Sequence, residues 1–262
     1  MKSLSWVDKY KPKNINDIIG NKNEITKIYK WLNVYTKKTK PDKNWKNGLL
    51  ISGPPGIGKT SLAHIILKDL GYNTIEFNAS ELRTSKVINE KINTILSGKS
   101  VQMMFNKNIK TAIILDEIDG MESKKEISST DISDYINYNY NKKLALYKKN
   151  KKKYTKPKIE ECINSNPIIC ICNTVTKSIN ALIKNVLHIK FNSPTDYDLL
   201  ELLKKINKFE NLNINEIVLN LIVPHCQNDL RRTIYILEYL STFIRKKEKI
   251  SNKDVIDIIN NI

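Results

Sequence analysis

Residues 53–60 read Gly53-Pro54-Pro55-Gly56-Ile57-Gly58-Lys59-Thr60, the pattern G-x-x-x-x-G-K-[ST]. Such a run is useful only where a strand ends and a helix begins. Both flanks are present. Leu49-Leu50-Ile51-Ser52 is a short apolar run that reads as a buried parallel strand. Behind the loop, Leu62, Ile65, Ile66 and Leu70 recur at helical spacing over 59–70, and Gly71 supplies a left-handed stop. Glycines let successive backbone N–H groups turn inward toward phosphate oxygens. The helix start adds positive potential. The pattern therefore predicts a nucleotide cradle over Gly53–Ser61. Lys59 would reach the β- and γ-phosphates, and the Thr60 hydroxyl would hold Mg²⁺.

The same alternation continues down the chain. Strands are expected at Thr74–Phe77, Thr111–Leu115, Pro167–Cys172 and Leu187–Phe191. Val87, Ile88, Ile92, Ile95 and Leu96 mark a helix ended by Gly98. Strands separated by helices give a parallel sheet covered on both faces, an α/β fold. After Ser193-Pro194 the pattern turns wholly helical, over 195–208, 215–226, 229–246 and 251–260, with Asp229 and Ser251 as caps. The reading is an α/β domain over 1–192 and a small all-helical domain over 193–262.

Charge is the next signal. The 262 residues carry 44 Lys+Arg against 27 Asp+Glu, a formal net charge of +17. Such a balance favours polyanions, nucleic acid above all. Lys, Asn and Ile also have A/T-rich codons, so genomic drift is an equal account. Residues 142–158 hold nine Lys and no acid. The stretch 137–158 reads as a basic low-complexity insertion. It is either a solvated loop or a flap that touches a nucleic-acid backbone, and disorder in the free chain is expected.

Several classes are excluded. No apolar run reaches the ~20 residues of a membrane-spanning helix, and Met1–Pro12 has no apolar signal region. The four cysteines, Cys162, Cys170, Cys172 and Cys226, fit a reducing compartment rather than a disulfide scaffold. Their spacing does not suit structural zinc.

Ala112-Ile113-Ile114-Leu115-Asp116-Glu117 is an apolar strand that delivers two carboxylates to its C-terminal end. Ligands of parallel sheets bind at that edge. Asp116 would hold Mg²⁺, through water, and Glu117 would polarise an attacking water. Two acids after a strand can also cap a helix; behind the cradle the catalytic role dominates. Asn173 ends the strand Ile168–Cys172 and could position the water or the γ-phosphate. Arg231 begins a helix of the second domain and could cross to the γ-phosphate.

In that order (P-loop, Asp-Glu, Asn, Arg, then a helical lid) the residues resemble an AAA+ ATPase. Trp6-Val7-Asp8-Lys9-Tyr10-Lys11-Pro12 and Asp17-Ile18-Ile19-Gly20 are similar to the adenine-side entry of clamp-loader subunits. Gly71-Tyr72, Glu76-Phe77-Asn78-Ala79-Ser80, Asp119-Gly120-Met121 and Pro167-Ile168-Ile169-Cys170 resemble the replication factor C large subunit and its alternative relatives. The resemblance spans 5–245, apart from the insertion.

That resemblance implies a fold: an AAA+ P-loop NTPase sheet domain with a lid. It implies ATP and Mg²⁺ as cofactors, with Val7, Tyr10, Pro12 and Ile19 around the adenine. It implies a hetero-oligomer with small clamp-loader subunits that opens a sliding clamp and places it on primer–template DNA, with no membrane role. A nuclear location follows, or a cytoplasmic replication site for a viral source. DNA contacts would come from Arg83, Lys86 and the insertion. Three departures stand out. Residues 178–186 contain no Arg, where small subunits carry the finger that acts on a neighbour's ATP. Glu81 replaces the family's Asp. No collar domain follows the lid, as expected of a fragment or of a reduced viral or parasite form. Two rival readings are a homo-oligomeric AAA+ remodeller or DNA helicase, and a structural subunit that binds ATP without useful hydrolysis.

Overall fold

The computed structural model describes residues 5–37, 41, 44–78, 85–97, 110–120, 128–158, 161–244 and 258. Along the chain the elements are α1 (Trp6–Lys9), α2 (Lys22–Lys37), β1 (Gly48–Ser52), α3 (Lys59–Asp69) and β2 (Tyr72–Asn78). Next come α4 (Ser85–Leu96), β3 (Lys110–Asp116), α5 (Ser129–Ile136), α6 (Tyr138–Lys149), β4 (Ile168–Cys172), α7 (Lys177–Ile183) and β5 (Val186–Lys190). The last three are α8 (Asp196–Phe209), α9 (Glu216–Ile222) and α10 (Leu230–Ile244). They fall into two compact units. One holds Lys22–Gly53 and Ala63–Phe191; the other holds Met1–Asn21, Pro54–Leu62 and Asn192–Ile262.

The first unit is built on a five-stranded parallel sheet in the order β2-β3-β4-β1-β5. All five strands expected from the apolar runs are present. The three inner strands carry near-continuous Ile, Leu and Cys because both faces are covered. Leu50, Ile113, Leu115, Ile168, Cys170 and Cys172 face one layer, where they meet Ile92, Ile95 and Leu96 of α4, Ile132 and Ile136 of α5, and Ile179 and Leu182 of α7. The alternate residues Leu49, Ile51, Ile114, Ile169 and Ile171 are equally buried. α2 is fixed to the approach to β1: Trp31 Nε1 donates to the Lys46 carbonyl at 2.8 Å, and the Tyr35 hydroxyl to that of Asn47 at 2.6 Å. None of the four cysteines is in a disulfide, and all are buried.

The basic insertion is a correction. Residues 138–149 form a helix, not an irregular loop. Lys, Leu and Ala all favour helix, and the base is anchored from a distance. The Asn139 N–H donates to Asn164 Oδ1 at 3.2 Å, and Asn139 Nδ2 to the Ile163 carbonyl at 2.9 Å. The buried Asn164 amide donates in turn to the carbonyls of Tyr135 and Ile136 at 3.0 and 2.7 Å.

The second unit is helical apart from its loop segments. Leu199, Leu203 and Ile206 of α8, Leu219 and Ile222 of α9, and Ile236, Leu237 and Leu240 of α10 form its core, and Trp6 from the start of the chain joins them. The Trp6 N–H donates to Glu238 Oε1 at 3.0 Å. The helix expected over 215–226 tightens to a 3-10 turn at Val223–Cys226, because Pro224 lacks the N–H that an α-helix would use. The helix expected over 251–260, with its Ser251 cap, lies outside the described residues save Ile258, as does Gly98. Asn21 and Asn192 make a reciprocal pair. Asn21 Nδ2 donates to the Asn192 carbonyl at 3.0 Å, and the Asn192 N–H to Asn21 Oδ1 at 2.8 Å.

Candidate functional site

In the helical unit, the P-loop residues Pro54–Leu62 pack with the lid helices. Gly56 (φ 71°) and Gly58 (φ 86°) occupy the left-handed region, where a side chain is disfavoured. Gly56 is needed for a second reason: a Cβ there would overlap the Asp229 carboxylate. The Leu230 N–H donates to the Gly56 carbonyl at 3.2 Å. The start of α10 is thus held against the loop. Asp229 is the cap expected there, since its Oδ1 accepts from the N–H groups of Arg231 at 2.7 Å and Arg232 at 3.0 Å. Arg231 is exposed. Arg232 is exposed too, but its Nε donates to the His225 carbonyl at 2.8 Å. Lys59 is buried, and its Nζ donates to the Pro54 carbonyl at 2.7 Å across the loop. Thr60 and Ser61 are half-buried in the first turn of α3. Positive-φ glycines, a helix start and a lysine folded over the loop are the features a triphosphate requires. The chain's own residues therefore fit ATP.

The proposed adenine residues occupy the same unit. Val7 and Tyr10 lean on the lid core. The Tyr10 ring meets Trp6 and Phe209 edge-on at 6.1 and 5.9 Å, and its hydroxyl donates to Glu210 Oε1 at 2.7 Å. Burial first, then that carboxylate, raises the phenol's pKa. Glu210 also pairs with Lys9. Pro12 and Ile19 are half-buried.

In the sheet unit, the C-terminal ends of β3 and β4 carry the other candidates. The strands run side by side, with Leu115 level with Cys170. Asp116 is half-buried at the end of β3. Glu117 is exposed, and its backbone is left-handed at φ 55°. Its N–H donates to Asp116 Oδ1 at 2.8 Å. A non-glycine residue in that region carries strain of the kind that gathers at working sites. Asn173 follows the last residue of β4 and is half-buried.

Sequence reasoning missed the residue that joins these two strand ends. Asp119 sits in the 3-10 turn Ile118–Gly120 directly after Glu117. Its Oδ2 accepts from the N–H of Asn173 and of Thr174, both at 3.0 Å, and from the Thr174 hydroxyl at 3.3 Å. The turn that carries Glu117 and the tip that carries Asn173 are one hydrogen-bonded assembly. The family-like string Asp119-Gly120-Met121 pointed to this place without giving a role. Met121, Ala79, Ser80, Glu81 and Arg83 lie outside the described residues, and the Lys86 side chain does as well.

At the far side of the same sheet edge, His188 on β5 hydrogen-bonds Ser52, the last residue of β1, at 2.7 Å. Burial first, then Lys190, lowers the His188 pKa. Among the described residues no three of His, Cys, Asp and Glu gather to hold a metal ion. The residues expected to hold Mg²⁺ are described each in its own unit, the Thr60 hydroxyl in the helical one and the Asp116 carboxylate, a hard oxygen donor that suits the ion, in the sheet one. Nor is any described helix long and apolar enough to cross a membrane.

Residues 49–194 match the ATPase family associated with various cellular activities (AAA), and the chain belongs to that family. Its sequence relatives narrow the likeness. The chain is 28% identical to replication factor C subunit 1 of Arabidopsis thaliana, over 91% of this chain and 25% of the relative. It is 32% identical to chromosome transmission fidelity protein 18 of Saccharomyces cerevisiae (93% and 35%). It is 31% identical to the replication factor C large subunit of Methanococcus maripaludis (90% and 42%). The chain thus spans between a quarter and about two-fifths of the length of these relatives. In structure it resembles the RuvB Holliday junction branch migration motor of Thermotoga maritima, with a TM-score of 0.63 at 17% identity over 96% of this chain and 72% of that one. At that identity the likeness shows the fold.

Proposed function

We propose that this chain is the ATP-binding and ATP-hydrolysing large subunit of a DNA sliding-clamp loader. What carries the reading is the coupled strand-end assembly Asp116–Glu117–Asp119–Asn173 in a chain whose relatives are replication factor C large subunits and chromosome transmission fidelity protein 18. In this reading the P-loop N–H groups and Lys59 bind the phosphates, and Arg231 reports the γ-phosphate to the lid. Thr60 and Asp116 hold Mg²⁺, which supplies charge neutralisation when bound. Glu117 accepts the proton of the attacking water, and Asn173 orients that water. Val7, Tyr10, Pro12 and Ile19 flank the adenine. The proposed partners are small clamp-loader subunits, a sliding clamp and primer–template DNA, and the proposed location is the nucleus.

Residues 178–186 run from the second residue of α7 to the start of β5 and contain no Arg. The chain therefore donates no finger there and receives one from a neighbour, a contribution of about 10³–10⁵ in rate. The test is ATP turnover with and without small clamp-loader subunits from the same source, with Lys59→Ala as control. Negligible turnover alone, rising with partners and primed DNA, is expected. Brisk turnover by the isolated chain would sink the reading and favour a self-assembling remodeller.

A further inference from the structure

We propose that α6 and the lysine run behind it form a docking surface for the phosphodiester backbone of duplex DNA, separate from the nucleotide site. The segment 142–158 contains nine lysines and no acid. Lys142, Lys143, Lys148, Lys149, Lys151–Lys153, Lys156 and Lys158 are all exposed. Among the described residues none of them is in an ion pair. The ammonium of Lys143 donates to the Glu161 carbonyl at 3.1 Å and to the Cys162 thiol, and that of Lys153 lies over the Tyr154 ring. The nearby acids are few: Glu161 is exposed beside Lys143, and Asp131 and Asp134 share a cavity with Lys142. Asp131 closes the capping box of α5 with Ser128, and Asp134 accepts from Asn141 at 3.0 Å. Soluble proteins intersperse the two signs of charge; a run of nine cations uninterrupted by an acid asks for a polyanion.

The shape of the segment adds to its charge. A disordered basic tail would lose much of its attraction in ordering costs. Here the base of α6 is fixed by Asn139 and Asn164, so four of the nine cations ride on a rod about 18 Å long and the other five follow directly behind it. Lys142 and Lys149, two turns apart, bracket the exposed Ala145 and Leu146 on one face. Lys148 and Lys149 stand at the helix C-terminus, where the dipole favours cations. Single-strand binders add aromatic platforms for bases. Here Tyr138, Tyr140 and Tyr147 are half-buried, and Tyr154 is the one exposed ring of the segment. Nine cations around a single exposed ring favour the backbone of a duplex over stacked single-strand bases.

The test uses the full chain carrying Lys59→Ala, without nucleotide, so that the outcome is independent of ATP hydrolysis. Anisotropy of a labelled 20-base-pair blunt duplex is followed between 50 and 200 mM NaCl. In one variant Lys142, Lys148, Lys149, Lys151, Lys152 and Lys153 become Gln. In a control Lys22, Lys27, Lys30, Lys177, Lys184 and Lys208 become Gln, which removes the same net charge elsewhere. A third variant places Arg at the first six positions. The first variant should lose at least tenfold in affinity, and the slope of log K against log salt should fall by about three or more, at ~0.9 per phosphate contact. The control should change little, and the Arg variant should bind like the parent. Equal losses in variant and control, an unchanged slope, or tighter and equally lysine-dependent binding of the single strand would each overturn the proposal. Matching far-UV spectra and melting temperatures exclude misfolding as the cause.

Discussion

The carboxylate of Asp119 accepts the backbone N–H of Asn173 across 54 residues of sequence, at 3.0 Å. The same oxygen holds the next N–H as well. The tip of β4 is therefore set by the turn that follows β3, and any shift of Glu117 reaches Asn173 through two residues. Asp119→Ala should leave nucleotide affinity within about twofold and lower single-turnover hydrolysis by roughly tenfold, because geometry rather than binding is lost. It should cost about 1–3 kcal/mol of stability through the unpaired N–H groups. Asp119→Asn, whose carbonyl still accepts, should recover part of both. The Asp119→Ala, Asn173→Ala double variant should be no slower than Asn173→Ala alone; additive losses would refute the coupling.

Glu117 combines a left-handed backbone with the general-base role proposed for it. Glu117→Gln should abolish turnover by about 10²–10⁴ while ATP still binds. Glu117→Gly should be equally inactive, yet melt no lower than the parent, because it relieves a left-handed conformation worth roughly 1 kcal/mol. Calorimetry beside a filter-binding assay reads both properties.

At Gly56 two constraints act together. A methyl group there meets both the positive φ and the Asp229 carboxylate. Gly56→Ala should lose more than tenfold in affinity for a fluorescent ATP analogue and at least about 1 kcal/mol of stability. Ala at Gly20, also at positive φ but with open space around it, should cost stability alone.

His188 gives the sheet a pH signature. Burial holds its native pKa below the ordinary 6.5. Between those two values the unfolded chain takes up a proton that the native chain refuses, so stability falls as pH drops through that window and is fully present above it. The melting temperature should therefore decline between pH 7.5 and 5.5 more steeply than in His188→Gln. Parallel curves would remove His188 as the cause.

The sheet was readable because its strands are short apolar runs, and the P-loop because its glycines and lysine fall at fixed spacing. Asp116, Glu117 and Asn173 could be placed because a strand's last residue marks the sheet edge. Asp229 announced itself as a cap by standing before a periodic run. What escaped the reading depends on distant partners. Asp119 looks like one more acid until Asn173 is folded beside it. The helix at 138–149 is hidden by its lysines, and Asn164, which fixes its base, follows 15 residues after Lys149. Trp6 gave no hint that its shelter lies among residues 199–240.

That last arrangement bears on how the chain is made. The indole near the first residue is buried by helices near the last, and Glu238 caps the turn that carries it. At ~5–20 residues per second, roughly 10–45 s of synthesis separate Trp6 from its core. The sheet can close in that interval, while the opening segment waits on the ribosome with its aromatic residues uncovered. A nascent chain arrested some tens of residues beyond β5, with the sheet emerged and the lid helices still inside the ribosome, should therefore offer this segment to a protease or a chaperone while its sheet is already resistant.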